Sequence, residues 1–321
     1  MIFFIPKHSR LLVCSGMAFC ILCLLLSMFT ALSYASNQLK DEEWLPQWKQ
    51  LTLEGEKPLT RFLVKLTIDD GASLCPYPLN DIKLDDFRCP WPQEGVLLLS
   101  AETVTMSLVL PQEKYEHFVW FRPENIKALQ RVRWKKSGNK WLKLYVWQNK
   151  GVSRLSIRPR EGEEILSPAK WTKRYRSFYR YPLEVVRKTG KIVSEPLSLI
   201  YLVSHLAHNG IKEKVSILVF GKKCLHAVTV SFKKEKSSQI RFHESSPHGF
   251  VKKKKKTSSY IYRIQAQSVV DGRYQETFSL IGLQHHIEIF VEPKSGIITR
   301  IRGDNDVVGH VDLRLVYVFK R

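Results

Sequence analysis

The stretch Val311-Asp312-Leu313-Arg314-Leu315-Val316-Tyr317-Val318-Phe319-Lys320 decides the fold. Val311, Leu313, Leu315, Tyr317 and Phe319 fall on alternate positions, while Asp312, Arg314 and Lys320 take the others. That period of two marks a strand with one buried and one wet face. Working back along the chain, Tyr260, Tyr262, Ile264 and Ala266 alternate with Arg263, Gln265 and Gln267. Ile287, Ile289 and Val291 alternate with His286 and Glu288, with Phe290 breaking the pattern. Tyr260 to Phe319 therefore reads as one antiparallel meander.

A second meander is expected upstream, over Val96 to Ala101, Val104 to Leu110, His117 to Phe121, Arg131 to Trp134, Trp141 to Trp147 and Val152 to Ile157. Ser137-Gly138-Asn139 and Asn149-Lys150-Gly151 supply its hairpin turns, since Gly and Asn tolerate positive φ. Arg61 to Ile68 reads as a further strand, closed by Asp69-Asp70-Gly71. Lys214 to Phe232 makes two more, on either side of Gly221-Lys222-Lys223. Trp44 and Trp48, four residues apart within Asp41 to Lys57, suggest a short amphipathic helix.

The clearest helix start is Ser194-Glu195-Pro196-Leu197, with a capping serine, an acid in the first turn and an early proline. Asn209-Gly210 ends the helix after His208. Between these signals, Leu197, Leu199, Ile200, Tyr201, Leu202, Val203 and Leu206 leave only a narrow polar stripe of Ser198, Ser204, His205 and His208. A helix this apolar must be covered on nearly all sides. The expected fold is mainly β: a curved antiparallel sheet, either a meander or a partly closed barrel, packed around one apolar helix near residues 195–208.

The N-terminus belongs to a different class of segment. Lys7, His8 and Arg10 precede the apolar run Leu11 to Thr30, and Ser33-Tyr34-Ala35 offers small residues for a signal peptidase. The run is also about as long as a membrane span, roughly 18 residues or more, so an uncleaved inner-membrane anchor is the alternative. In either case the remainder is expected in the periplasm. The expected organisation is a leader at 1–35, an N-terminal extension at 36–94, and a β domain at 95–321 built of meanders at 95–190 and 191–321.

The 321 residues carry a net charge of +21, and cleavage after Ala35 removes Lys7 and Arg10 but no acid, leaving +19. In an exported protein such a charge points to anionic lipid or lipopolysaccharide rather than nucleic acid. Cys75 and Cys89 each precede a proline and bracket a short polar segment, which suits a disulfide in an oxidising compartment. Cys224 is left over inside an apparent strand, as a small buried hydrophobe.

Two basic stretches are the candidate binding surfaces. In the first, Lys170, Lys173, Arg174, Arg176, Arg180, Arg187, Lys188 and Lys191 interleave with Trp171, Tyr175, Phe178, Tyr179 and Tyr181. That mixture suits an anionic, partly apolar ligand through charge-assisted hydrogen bonds and cation–π contacts, and equally suits a linker whose aromatics pack. The second is the run Lys252, Lys253, Lys254, Lys255 and Lys256, expected as a mobile hairpin tip because such dense like charges repel. A smaller aromatic and basic group (Trp134, Lys135, Lys136, Lys140, Trp141, Lys143) surrounds the first hairpin. No G-x-S-x-G elbow, H-E-x-x-H helix or Cys/His zinc spacing follows the leader, so no catalytic residue, metal site or cofactor is assigned. A hydrolase using His205, His208, His285 or His286 is the least supported reading.

Glu195-Pro196-Leu197-Ser198-Leu199-Ile200-Tyr201-Leu202, Phe278 to Leu283, Gly309-His310-Val311-Asp312-Leu313, Trp147 to Arg154 and Trp171 to Tyr181 resemble an uncharacterised family of bacterial envelope proteins, catalogued only as a domain of unknown function. The resemblance spans about Leu142 to Phe319. It implies an exported, mainly antiparallel β protein and supplies no activity. The sequence thus favours a non-enzymatic envelope protein that binds an anionic amphiphile, lipid or lipopolysaccharide. The alternative is a structural or protein-interaction module acting with other envelope proteins.

Overall fold

The computed structural model describes residues 44–77, 79–82, 87–108, 111–182, 184, 192–246, 249–269 and 276–321. The expected leader, together with Arg187, Lys188 and Lys191, lies outside them.

Among the described residues fifteen strands form a single sheet. β1 (Trp48–Lys57), β2 (Thr60–Asp70), β3 (Leu97–Ser107), β4 (Glu113–Arg122), β5 (Lys127–Lys135), β6 (Trp141–Gln148), β7 (Gly151–Arg158) and β8 (Lys173–Arg180) follow one another outward as antiparallel neighbours. The chain then crosses to the far end of the sheet. There β9 (Val193–Ser194), β10 (Val215–Phe220), β11 (Leu225–Ser246), β12 (Gly249–Ser268), β13 (His285–Glu292), β14 (Ile297–Asn305) and β15 (Gly309–Lys320) work back until β15 pairs with β1. Only β9 with β10, and the end of β11 with β15, run parallel.

The outer ends β8 and β9 share no ladder, and a seam of side chains joins this part of the sheet instead. Phe220, at the end of β10, packs against Trp147, Tyr179 and Tyr181 with ring centroids 6.1, 5.7 and 6.5 Å apart. Tyr145, Val152 and Val193 complete this buried cluster. The sheet is therefore a barrel closed in part by packing.

Inside it lies α1 (Leu199–His208), entered through a 3-10 turn at Pro196–Ser198. Every residue from Leu199 to Ala207 is buried, packed among Leu51, Leu66, Leu99, Phe121, Ile289, Ile298 and Leu315 from the inner face. Three polar tips inside this core find backbone partners. Tyr201 Oη donates to the Trp44 carbonyl (2.8 Å), Tyr262 Oη to that of Ile211 (2.6 Å), and Trp48 Nε1 to that of Gly296 (3.0 Å). Gly210 takes φ +66° and ends the helix as its sequence indicates.

The outer face of β3 to β7 is covered as well. Cys75 and Cys89 form a disulfide with Cα atoms 5.2 Å apart. The segment it encloses lays Leu79, Ile82 and Phe87 over Leu98, Trp120, Leu144 and Ile157. Buried Gln130 holds this cover in place, accepting from Arg88 N (2.7 Å) and donating to the Arg88 carbonyl (2.6 Å).

Several expectations are corrected by these contacts. Within the expected extension at 36–94, β1 and β2 join the two meanders at the middle of the sheet. The expected helix over Asp41 to Lys57 is β1: the period-2 run Leu51, Leu53, Gly55 prevails over the Trp44/Trp48 spacing. Gly55 is required there, since a Cβ would sit 2.6 Å from the Asp312 carbonyl oxygen of β15. Val96 to Ala101 and Val104 to Leu110 are not two strands; 97–107 is one strand, β3. The helix entry is capped by Glu195, whose carboxylate accepts from Leu197 N (2.5 Å), and not by Ser194, which donates to the Ile126 carbonyl (2.7 Å). The lysine run is not a loop but part of β12, paired throughout with β11.

Truncating Leu202 to alanine empties part of the barrel centre, and urea unfolding should show a loss of about 2–5 kcal/mol. Cys75→Ser removes the closed loop and should cost about 3 kcal/mol in the same measurement.

Candidate functional site

Beside the helix entry the barrel encloses a cavity of about 540 Å³. Strand alternation gives it two unlike walls. Phe62 and Val64 of β2, Val311 and Leu313 of β15, with Leu197, Leu283 and Val308, make one side apolar. The inner faces of β4, β5 and β6 place His117, Arg131, Arg133 and Lys143 on the other side, together with Glu113, which is held by Lys135 at 2.6 Å.

On that side the register aligns His117, Arg133 and Lys143 directly across adjacent strands. Like charges placed opposite one another destabilise a sheet, and among the described residues no carboxylate pairs with Arg133 or Lys143. Trp141 lies between the two cations, its ring 5.6 Å from Arg133 Cζ and 4.1 Å from Lys143 Nζ. Arg133 Nε donates to His117 Nε2 at 3.4 Å. These side chains are only partly exposed, and the solvent they meet is that of the cavity.

The electrostatics follow from this enclosure. Burial, then the charges of Arg133 and Arg131, hold the His117 imidazole well below its ordinary pKa, so it is neutral at pH 7. Burial also lowers Arg133. Lys143 is lowered to about 8 by burial, reinforced by Arg133, Arg154, Arg158 and Lys222. Tyr145, Glu195 and Glu276 oppose the lowering of Arg133 without cancelling it, and a bound anion would oppose all three shifts further.

Arg131, one row deeper, is already compensated. Its Nη1 donates to Glu195 Oε1 (3.1 Å), its Nη2 to the Gly221 carbonyl (2.7 Å), and its Cζ sits 3.9 Å from the centre of the Tyr145 ring. Burial pushes the Glu195 carboxyl up, and Arg131 opposes that shift. The pair pins the helix entry to the barrel wall and forms the end of the cavity. Glu276 is satisfied separately, accepting from Lys222 N (2.8 Å) and Lys223 N (2.6 Å).

The candidate residues read from sequence lie elsewhere. Lys170 is exposed at the end of a 3-10 turn, and Lys173, Tyr175, Arg176 and Arg180 are exposed on β8. Arg174 is tied to the carbonyls of Ala169 (2.9 Å) and Trp171 (3.3 Å). Trp171 is buried, its Nε1 donating to the Glu163 and Leu166 carbonyls, so it anchors a loop and offers no exposed face. Tyr179 belongs to the seam and lies under Arg154 (5.0 Å). None of these residues lines the cavity. Lys252 to Lys256 divide by strand alternation between the inward and outward faces of the β11–β12 ribbon.

The histidines considered for catalysis have other engagements. His208 stacks on Trp44 (4.9 Å), and burial beside His208 lowers His205 to about 4. His286 and His310 flank Asp304 at 2.6 and 2.8 Å, and His285 contacts Asp306 at 3.1 Å. Cys224 is buried, with Sγ 3.4 Å from His226 Nε2. No described helix is long and apolar enough to cross a membrane.

Trp141 and Lys143 are part of the aromatic and basic group visible around the first hairpin. The arginines were missed. The available signal was their spacing: Arg131 and Arg133 are two apart, so both point inward while Val132 and Trp134 face outward.

No protein-family model matches this chain, and no curated protein matches it significantly. Among solved structures it is similar to a β-barrel-like protein of domain of unknown function DUF1849 from Brucella abortus, at 10% identity and a TM-score of 0.46, over 86% of this chain and 98% of the other.

Arg131→Met strands Glu195 in the interior and should destabilise the fold by about 3–5 kcal/mol. The double variant Arg131→Met/Glu195→Gln should lose clearly less than the sum of its single changes in a denaturant cycle.

Proposed function

We propose that this is a non-enzymatic, exported envelope protein that holds a single-chain anionic amphiphile in the barrel cavity, head group against Arg133 and Lys143 and chain along the apolar wall. One observation carries the reading: among the described residues, two neighbouring inward cations have no acidic partner on one side of a cavity whose other side is apolar. Keeping such charges together costs free energy unless an anion joins them. Trp141 between them is suited to lie against the first carbons of a chain while its neighbours take the charge. The volume falls within the usual range for small-molecule sites. Export is supported by the N-terminal sequence pattern and the disulfide, and lipid as the ligand class by the two-walled cavity.

The alternative, a protein-interaction module, draws on β8, which among the described residues pairs only with β7 and leaves its other edge for strand addition. Against it, β8 carries Lys173, Arg174, Arg176 and Arg180, and edge cations are the usual means by which a sheet discourages pairing.

Oleate binding followed by calorimetry tests the proposal. Arg133→Gln and Lys143→Met should each weaken binding about tenfold or more, as expected for loss of a charge-assisted hydrogen bond, and oleyl alcohol should bind far more weakly than oleate. Affinity should fall as pH rises through about 8, where Lys143 loses its proton, and Lys143→Met should abolish that dependence. Equal affinity for the alcohol and the acid would contradict the assigned head-group site.

A further inference from the structure

The β11–β12 ribbon carries a second unpaired set of cations, independent of the cavity. Its strands stay paired for twenty residues, from His226 opposite Ser268 to Ser246 opposite Gly249, and the far end of β11 bends across to pair with β15 at Tyr317–Phe319. One face of the far half is thereby turned inward: Phe242 is buried, Ile240 packs on the core, and Thr257 is buried. The lysines on this inward face are neutralised, Lys253 by Glu244 and Lys255 by Glu292, both at 2.7 Å.

The outward face shows the opposite treatment. Lys252, Lys254 and Lys256 alternate along β12, and Arg241 stands directly across from Lys254 on β11. All four are exposed, and none has a carboxylate partner among the described residues. The nearest acid on that face, Glu235, is occupied by Ser258 Oγ toward the other end of the row. Beyond Lys252 the same face continues to Phe250, 64% exposed and stacked on His243 at 5.1 Å. The far half thus pairs its two inward lysines, Lys253 and Lys255, and leaves four outward cations side by side, an array that an anionic surface would neutralise.

We propose that this outward face docks the protein on an anionic lipid bilayer. Arg241, Lys252, Lys254 and Lys256 would meet the head groups, and Phe250 would enter the interface. The row is suited to a broad surface and not to a small ion, because strand geometry spreads the four charges along the ribbon instead of converging them. The exposed aromatic ring of Phe250 in line with them favours lipid over nucleic acid, which has no apolar layer to receive it.

Vesicle sedimentation of the protein as recovered from expressing cells tests this. The readout is the difference in binding between phosphatidylcholine vesicles and vesicles containing phosphatidylglycerol, because an apolar N-terminal stretch would insert in both alike. The native protein should prefer the anionic vesicles. Lys252→Gln/Lys254→Gln/Lys256→Gln should cut that preference on the order of 100-fold at low salt, and Phe250→Ser should weaken the part of binding that survives added salt. The control Lys173→Gln/Arg176→Gln/Arg180→Gln removes the same charge from β8 and should leave the preference nearly intact. The proposal is overturned by equal binding to both vesicle types, by an equal loss in the control, or by tighter binding to a DNA duplex than to anionic vesicles.

Discussion

A helix with apolar side chains on every side can exist in water only if something encloses it, and that requirement shapes the rest of this molecule. Leu199 to Ala207 are buried without a break. A flat sheet would cover one side of such a helix. A sheet curled around it, with β15 returning to β1, covers it with residues from β1 to β4 and β10 to β15. The entry to the helix has to be fastened to the wall, and the buried Arg131–Glu195 pair does so at a point where a purely apolar contact would leave the first turn's N–H groups unanswered. Because the helix is short, the barrel is longer than its filling, and the cavity is the space left beside the helix entry.

The cationic wall of that cavity follows from strand geometry once the barrel is closed. Alternation sends Val132 outward beneath the disulfide-bridged cover and sends Arg131 and Arg133 inward. Arg131 meets Glu195, whereas Arg133 meets Lys143 and His117, which are no counterions. The same contrast recurs on the β11–β12 ribbon, where inward lysines have glutamate partners and outward ones do not. Elsewhere the protein neutralises buried charge thoroughly. Burial tends to raise Glu288, but hydrogen bonds from Lys233, Arg302 and Arg263 outweigh it and hold the carboxyl at about 2. Against that background the two sets of cations without acidic partners among the described residues stand out.

Much of the architecture was legible in the sequence because it rests on local signals. Period-2 alternation located most strands, Gly138 and Gly210 sit where turn and helix-end chemistry placed them, and the Cys75–Cys89 pairing came from its short loop. What failed had long-range causes. Lys252 to Lys256 repel locally, and only the partners Glu244 and Glu292, together with the ladder to β11, hold them as strand. Trp44 and Trp48 have helical spacing, but one stacks on His208 and the other reaches Gly296, contacts no local pattern encodes. The cavity wall was the least legible feature, since an arginine in a strand gives no hint of whether it faces solvent or an interior. The basic stretch of β8 attracted attention because its charges are contiguous, and they are contiguous because they line an exposed edge.

The central claim is that the cavity is a place for an anion with an apolar tail, and it is tested most directly by weighing the native protein. Mass spectrometry under non-denaturing conditions, on protein recovered from cells without detergent, should find a fraction heavier than the bare chain by the mass of one anionic single-chain lipid. That adduct should be absent from Arg133→Gln/Lys143→Met. A native protein carrying only its own mass, or an adduct retained unchanged by the double variant, would contradict the account.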